Sequence, residues 1–283
     1  HRPIAPIRCL FGAGRSADKI SALTMRILSN RLLAPVLLAV TLCCASFAAS
    51  AKPEDFRQYL LWFYPPGVQT APLVILIEGT GGTGVNAKSS WVDWFRAKGI
   101  AVAQVRSAAA RGQRDWSGSG CSLIYNNDAR DVLDLAHAEQ PRIDTTRFAI
   151  MGFSRGGTEV LNSAKSFRGA PAQPAAVFAL YPGCDGWCQT DYAKNGPTPV
   201  HILYGDADEW GKQRDSFGQC RRLAGGKIAF HPLPGAHHGF DGTSTGTFRA
   251  AGSVFRYEPN AAALEIARGI VARQLGSAWN LPD

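Results

Sequence analysis

Apolar and polar positions alternate along this chain on two scales. From Tyr59 onward, short runs rich in β-branched and aromatic residues are separated by stretches with helical spacing. The runs Leu60–Tyr64, Leu73–Ile77, Ile100–Val105, Arg147–Met151, Ala176–Tyr181, Val200–Tyr204 and Lys227–Leu233 predict strands. Leu73-Val74-Ile75-Leu76-Ile77 has no polar position at all. A strand apolar on both faces belongs in a parallel sheet covered by helices on each side. Between the strands, Ala129, Val132, Leu133 and Ala136 fall at i, i+3, i+4 and i+7, with Asp128, Asp131 and Asp134 off that stripe. Asn126 or Asn127 is placed to cap that helix. Leu264, Ala267, Val271 and Leu275 draw a second stripe near the end. Strand and helix alternate without a repeat or a long linker. The expected fold is therefore one α/β domain, a doubly wound, mostly parallel sheet with helices on both faces, over residues 52–283.

Residues 1–51 do not share this pattern. Met25 opens a basic head with Arg26 and Arg31, an apolar run follows from Leu32 to Val40 and on to Phe47, and Ala49-Ser50-Ala51 closes it. That is the pattern of a secretory signal peptide over 25–51, with 1–24 an upstream extension that we do not expect to be structured. The apolar run is short and broken for a membrane span, although an uncleaved anchor is the alternative. This segment changes the charge argument. The whole chain of 283 residues is formally +8, from 30 basic and 22 acidic residues, but residues 1–51 hold six of the bases against Asp18 alone. The remainder carries 24 basic and 21 acidic residues, a net of +3, with no basic block interleaved with aromatics. No nucleic-acid partner and no stable membrane insertion after cleavage are expected. The expected location is periplasmic or secreted. Four cysteines remain, Cys121, Cys184, Cys188 and Cys220, an even number that favours disulfides in an exported chain. Their spacing lacks the paired knuckles of a zinc site. Cys184 follows one strand end and Cys220 lies in the helix after the next strand, which favours Cys184–Cys220 with Cys121–Cys188. Cys184–Cys188 with Cys121–Cys220 is the rival.

Candidate chemistry sits at strand ends, where open α/β sheets bind ligands. The run Arg147–Met151 leads into Gly152-Phe153-Ser154-Arg155-Gly156-Gly157 and then into the helical Thr158-Glu159-Val160-Leu161. A Gly-x-Ser-x-Gly turn between strand and helix holds its serine strained, exposed and at a helix amino end, where N–H groups stabilise negative charge. A hydroxyl nucleophile needs a base oriented by an acid, and in this arrangement both follow the serine in chain order. Gly205-Asp206-Ala207-Asp208 and Pro234-Gly235-Ala236-His237-His238-Gly239 each come just after an expected strand and supply them, with two candidates apiece. His137, His201 and His231 lie within helices or strands and are read as structural.

Taken together, these segments resemble the dienelactone hydrolase family of α/β-hydrolases. The resemblance runs from about Pro72 to Ala272. It rests on the serine turn, on Tyr181-Pro182-Gly183-Cys184, on Gly205–Asp208, on Pro234–Asp241, and on Tyr257-Glu258-Pro259-Asn260-Ala261-Ala262 leading to the last helix. It implies Ser154, Asp208 and His238 as the catalytic set, rather than Asp206 or His237. It also implies an oxyanion hole from the backbone N–H groups of Thr80, in the loop Glu78-Gly79-Thr80-Gly81-Gly82, and of Arg155. Glu78 matches the strand-end glutamate of the name-giving enzymes. A site role and a purely structural role are both open for it. The same loop lacks the Lys-Ser/Thr of a phosphate-binding loop and the spacing of a dinucleotide fingerprint. No cofactor or metal is expected.

Two departures from the family pattern bear on substrate. The name-giving enzymes use cysteine where this chain has Ser154. They also hold a substrate carboxylate with arginines, one shortly after the histidine, where this chain has Gly239-Phe240-Asp241-Gly242. Asp241 would repel an anion if it pointed inward. Arg106, Arg111, Arg114 and the Arg155 side chain are the cations available to offset this. Trp116, Trp187 and Trp210 are candidates for an apolar wall. The expectation is a small-molecule ester or lactone hydrolase working through an acyl-enzyme, with neutral esters preferred over anionic lactones. The alternatives are a peptidase or other acyl transferase on the same residues, or an inactive binding protein on this fold.

Overall fold

Among the described residues, seven strands form one sheet in the order β1-β3-β2-β4-β5-β6-β7. They are β1 (Leu60–Phe63), β2 (Ala71–Ile77), β3 (Ala101–Val105), β4 (Ile143–Phe153), β5 (Val177–Leu180), β6 (Val200–Gly205) and β7 (Ile228–Leu233). All neighbours are parallel except the edge pair β1 and β3. The computed structural model describes residues 57–80, 91–110, 127–186, 194–250 and 252–281. The leader expected over 1–51, and Arg111, Arg114, Trp116, Cys121, Asn126, Trp187 and Cys188, lie outside the described residues. The described residues all belong to one unit, Ala48–Asp283.

Every residue of β2, β3 and β5 is buried, as a sheet covered on both sides requires. With this strand order, the right-handed rule for parallel crossovers sends the helix after β2, α1 (Val92–Ala97), to one face, and places α3 (Asp128–Glu139) and α4 (Arg155–Ser163) on the other, a short α2 (Ser107–Ala110) leading off β3. The chain turns left from β2 to β3 but right from β4 to β5. The carboxyl ends of β2 and β4 therefore flank the point where the winding reverses, the place where open α/β sheets bind ligands.

The stripe on α3 packs inward as its spacing predicts, with Ala129, Val132, Leu133 and Ala136 buried. Asp128 is buried as well, at the first turn, where the helix amino end favours a carboxylate. The cap at Asn127 is not made: its backbone is already helical, and its side chain accepts no bond from the helix. The last helix, α7 (Ala261–Trp279), buries Ala267, Val271 and Leu275, and Asn260 caps it by accepting from Ala263 N at 3.0 Å.

Two features depart from the sequence expectation. β4 begins four residues early and carries a bulge, its register jumping between Pro72↔Asp144 and Leu73↔Phe148. Asp144 ties the extra residues, accepting from Thr146 N at 3.0 Å and from Arg147 Nε at 2.7 Å. A separate hairpin, β8 (Gly246–Ala250) with β9 (Ser253–Tyr257), follows β7 and was not expected. Gln213 Nε2 donates to Ser253 Oγ at 3.1 Å, pinning this hairpin to α5 (Glu209–Gln213). Cys184 is bonded to Cys220 on α6 (Ser216–Leu223), the favoured pairing. Among the described residues no helix is long and apolar enough to cross a membrane.

Candidate active site

Ser154 sits between the end of β4 and the start of α4 with φ 52° and ψ −115°, a conformation that costs a non-glycine residue free energy. The glycines on either side make the turn possible. A Cβ on Gly156 would lie 2.3 Å from the carbonyl oxygen of Glu78, and one on Gly152 would lie 2.1 Å from that of Gly156. The helix start is thus pressed against the end of β2, and the loop after β2 passes beside the serine. A Cβ on Gly79 would be 3.4 Å from Ser154 Cβ.

The base comes from the loop after β7. His238 Nδ1 lies 2.8 Å from Asp208 Oδ2, and His238 Nε2 lies 3.0 Å from Ser154 Oγ. A carboxylate only accepts, so Nδ1 carries the proton and Nε2 is left to accept from the hydroxyl. Asp208 is fully buried after β6 and caps α5, accepting from Gly211 N at 3.1 Å with its other oxygen. The neighbouring alternatives are elsewhere. Asp206 accepts from the Gly235 amide at 2.7 Å at the surface, and His237 makes neither contact. The backbone around the imidazole is fixed by the end of the hairpin, since Glu258 N donates to His238 O at 3.3 Å and Asn260 N to Phe240 O at 2.8 Å.

Among the described residues, three aromatic rings pack around His238. Their centroids lie at 4.6 Å for Tyr181, 5.2 Å for Trp210 and 5.2 Å for Phe248. Trp210 and Phe248 are half-buried, so each offers an edge to solvent beside the base. The Arg214 guanidinium covers the Trp210 ring at 5.4 Å. Phe248 escaped sequence reasoning because the hairpin buries little. Its signal was the pairing of Phe248 with Phe255 across a turn at Gly252.

The remaining expected residues are near but differently engaged. Glu78 is buried at the end of β2. Thr80 is exposed in the loop beyond it. Arg155 follows the serine, and its Nε donates to the buried Glu159 at 2.9 Å. Asp241 is wholly buried, so it does not present its charge to the crevice as the sequence allowed. It accepts from the Tyr181 hydroxyl at 2.7 Å and from Trp91 Nε1 at 3.0 Å. Burial pushes its carboxyl up from the usual range, while Tyr181, Trp91 and the adjacent His238 oppose that rise. Burial, and then the charges of Asp241 and Asp208, push the Tyr181 hydroxyl well above its ordinary value.

Away from this site, His201 Nδ1 lies 3.1 Å from His231 Nε2, the rings stacked, and His137 pairs with Thr145. Among the described residues no cluster of histidine, cysteine and carboxylate side chains could hold a metal ion.

Comparison with known proteins bears on the family and the fold. The model of the dienelactone hydrolase family matches residues 120–270, which include Ser154, Asp208 and His238. No curated protein sequence matches. Several solved structures share the fold. A dienelactone hydrolase-like promiscuous phosphotriesterase from metagenomic libraries superposes with a TM-score of 0.54 at 17% identity, covering 78% of this chain and 99% of its own. A Klebsiella pneumoniae protein assigned as a dienelactone hydrolase gives 0.56 at 18%, covering 77% and 92%. Est1E from Butyrivibrio proteoclasticus gives 0.53 at 16%, covering 77% and 93%. At these identities the likeness is one of fold.

Proposed function

Because the chain belongs to the dienelactone hydrolase family of ester hydrolases, we propose that it is a serine hydrolase that cleaves a carboxylic ester or lactone through an acyl-enzyme on Ser154. The observation that carries this reading is the unbroken run of hydrogen bonds from Ser154 through His238 to Asp208, at 3.0 and 2.8 Å, with the serine held at a strained turn.

In this mechanism His238 Nε2 takes the Ser154 proton as Oγ attacks the carbonyl carbon. Asp208, buried and bonded to Nδ1, stabilises the imidazolium that forms. The oxyanion develops at the amino end of α4, and the backbone N–H groups of Arg155 and Thr80 receive it. The imidazolium then gives its proton to the leaving oxygen, the C–O bond breaks and the alcohol departs. For a lactone, that alcohol stays attached to the acyl group. A water deprotonated by His238 attacks the ester on Ser154, and collapse returns the proton to Oγ and frees the acid.

Because the base delivers the leaving-group proton, the leaving group lies on the His238 side, against Trp210 and Phe248. Those rings suit an apolar or aryl group. Arg155, already bonded to Glu159, is poorly placed to neutralise a substrate carboxylate, and an unpaired charge in a half-buried site is costly. This supports neutral esters as the preferred class. The Cys184–Cys220 disulfide supports an exported protein, since such bonds persist in oxidising compartments.

The test is turnover of a neutral aryl ester by the purified protein and its Ser154→Ala variant. The variant should lose about three or more orders of magnitude in kcat, retaining only binding and oxyanion effects. An unchanged rate would end the serine-hydrolase reading.

A further inference from the structure

Asp241 is a buried carboxylate beside the base that the mechanism above does not use. Asp241 lies three residues beyond His238, and both its oxygens accept from side chains of distant segments, Tyr181 at the end of β5 and Trp91 just before α1. Trp91 Nε1 can only donate, and two converging donors suit an ionised carboxylate better than a protonated one. A neutral side chain would avoid the desolvation of a charge here, so its burial calls for an account.

Tyr181 connects this carboxylate to the base. It leaves β5 with φ 40°, in the left-handed region that few non-glycine residues adopt. Its amide donates to Leu203 O at 2.8 Å, its hydroxyl is taken by Asp241, and its ring lies against the imidazole of His238 at 4.6 Å. Phe240 closes the other side of that ring, edge-on at 5.6 Å. The tyrosine is therefore fixed at its backbone, its hydroxyl and its faces, and the imidazole rests on it.

We propose that Asp241 is a positioning residue for the general base: through Tyr181 it holds His238 in line between Ser154 and Asp208, and its charge favours the imidazolium that forms during attack. This rests on the serine-hydrolase reading. Among the described residues, the titratable residues adjacent to His238 are few. Asp208 comes from the start of α5, Tyr181 from β5, Asp241 and His237 from its own loop, and Tyr257 and Glu258 from the end of β9. Trp210 and Phe248 add no charge.

Two substitutions separate the two effects. Tyr181→Phe keeps the ring and the Asp241 charge but breaks the hydrogen bond between them. Asp241→Asn removes the charge as well. Both are compared with the parent protein and with Ser154→Ala, using a neutral aryl ester from about pH 5 to 9, with rates referred to active sites counted by the acylation burst. Tyr181→Phe should lower kcat about tenfold with KM within about twofold, and leave the acid limb of the kcat/KM profile in place. Asp241→Asn should lower kcat at least as much and move that limb to lower pH by about half a unit or more, because losing the anion disfavours the imidazolium. A merely structural residue would reduce the number of active sites but move neither kcat per site nor the pH limb. If Ser154→Ala abolishes turnover while both other variants keep kcat per site within about twofold and the limb unmoved, the inference is overturned and the serine-hydrolase reading stands. If Ser154→Ala turns over like the parent, the reading itself fails. Should Asp241→Asn not fold, Tyr181→Phe decides the positioning through kcat, and Trp91→Phe, which frees the other oxygen, supplies the second variant.

Discussion

Replacing Gly156 by alanine tests whether the serine turn depends on the close approach of α4 to β2. The added methyl would lie 2.3 Å from Glu78 O, 2.4 Å from Ile77 O and 2.9 Å from Glu78 C. All three are backbone atoms of a buried strand end, so no side chain can swing away. Ordinary contact begins at 3.4 Å, which requires the first turn of α4 to retreat by roughly 1 Å. Overpacking of this kind costs about 1–3 kcal/mol, and unyielding neighbours put this site at the upper end. Ser154 lies two residues upstream, and its hydroxyl is 3.0 Å from His238 Nε2. The same retreat takes it out of bonding range, and a displacement of about 1 Å at a reacting atom costs on the order of a hundredfold in rate. Urea unfolding and the kcat for an aryl ester should therefore both fall. Gly269→Ala is the control. It lies in the middle of α7, where the new methyl meets only the flexible end of Arg273 at 3.4 Å. Helix propensity should make that variant more stable by about 0.5–1 kcal/mol with unchanged turnover. A Gly156→Ala protein with stability within about 0.5 kcal/mol of the parent and kcat within about twofold would refute the account of the turn.

Three further outcomes are expected. Burial, and then the charge of His231, hold His201 down at about 4 from an ordinary 6.5, with the Gln274 hydrogen bond opposing. The unfolded chain therefore takes up this proton first as pH falls. The associated stability is complete above about pH 6.5 and is lost between there and about pH 4, by at most about 3 kcal/mol and nearer 1–2 after solvent screening. Urea midpoints at several pH values should fall less steeply in His201→Gln, and an identical slope would count against it. Breaking the Cys184–Cys220 bridge, whose partners are 36 residues apart, should cost about 4 kcal/mol by loop-closure entropy. A Cys184→Ser, Cys220→Ser protein with an unaltered urea midpoint would contradict that. Finally, kcat/KM for a neutral aryl ester should exceed that for a carboxylate-bearing lactone of similar reactivity. The reverse order would mean that an arginine faces the crevice.

Much of the scaffold can be read along the chain because its signals are local. Leu73–Ile77 is apolar on both faces and becomes a fully buried strand. The stripes on 128–139 and 261–279 become helices packed on those faces. Gly152-Phe153-Ser154-Arg155-Gly156 marks its own turn, since a Cβ on Gly152 would meet Gly156 within the same five residues, whereas the need for glycine at 156 comes from the end of β2. The hairpin 246–257 was missed because it buries little beyond Phe255, so its alternation carries weak amplitude. The early start of β4 was missed because a bulge tied by Asp144 breaks the period on which strand recognition depends.

The sequence by itself determined the sheet, the nucleophile turn and the short segments that contain the acid and the base. Motif likeness narrowed each segment to one residue, and tertiary packing decided the contacts. Asp206 and Asp208 are two residues apart, yet one caps a surface turn and the other reaches the imidazole. His237 and His238 are adjacent, and only the second meets a serine 84 residues away. The position of Asp241 belongs wholly to the tertiary structure. In the sequence its side chain reads as a charge near the base that would repel an anion if it pointed inward, and it becomes a buried acceptor only because β5 and the start of α1 bring Tyr181 and Trp91 to it. Periodicity and turn chemistry act between residues a few positions apart, whereas the alignment of a proton path depends on the packing of segments 30 to 84 residues distant.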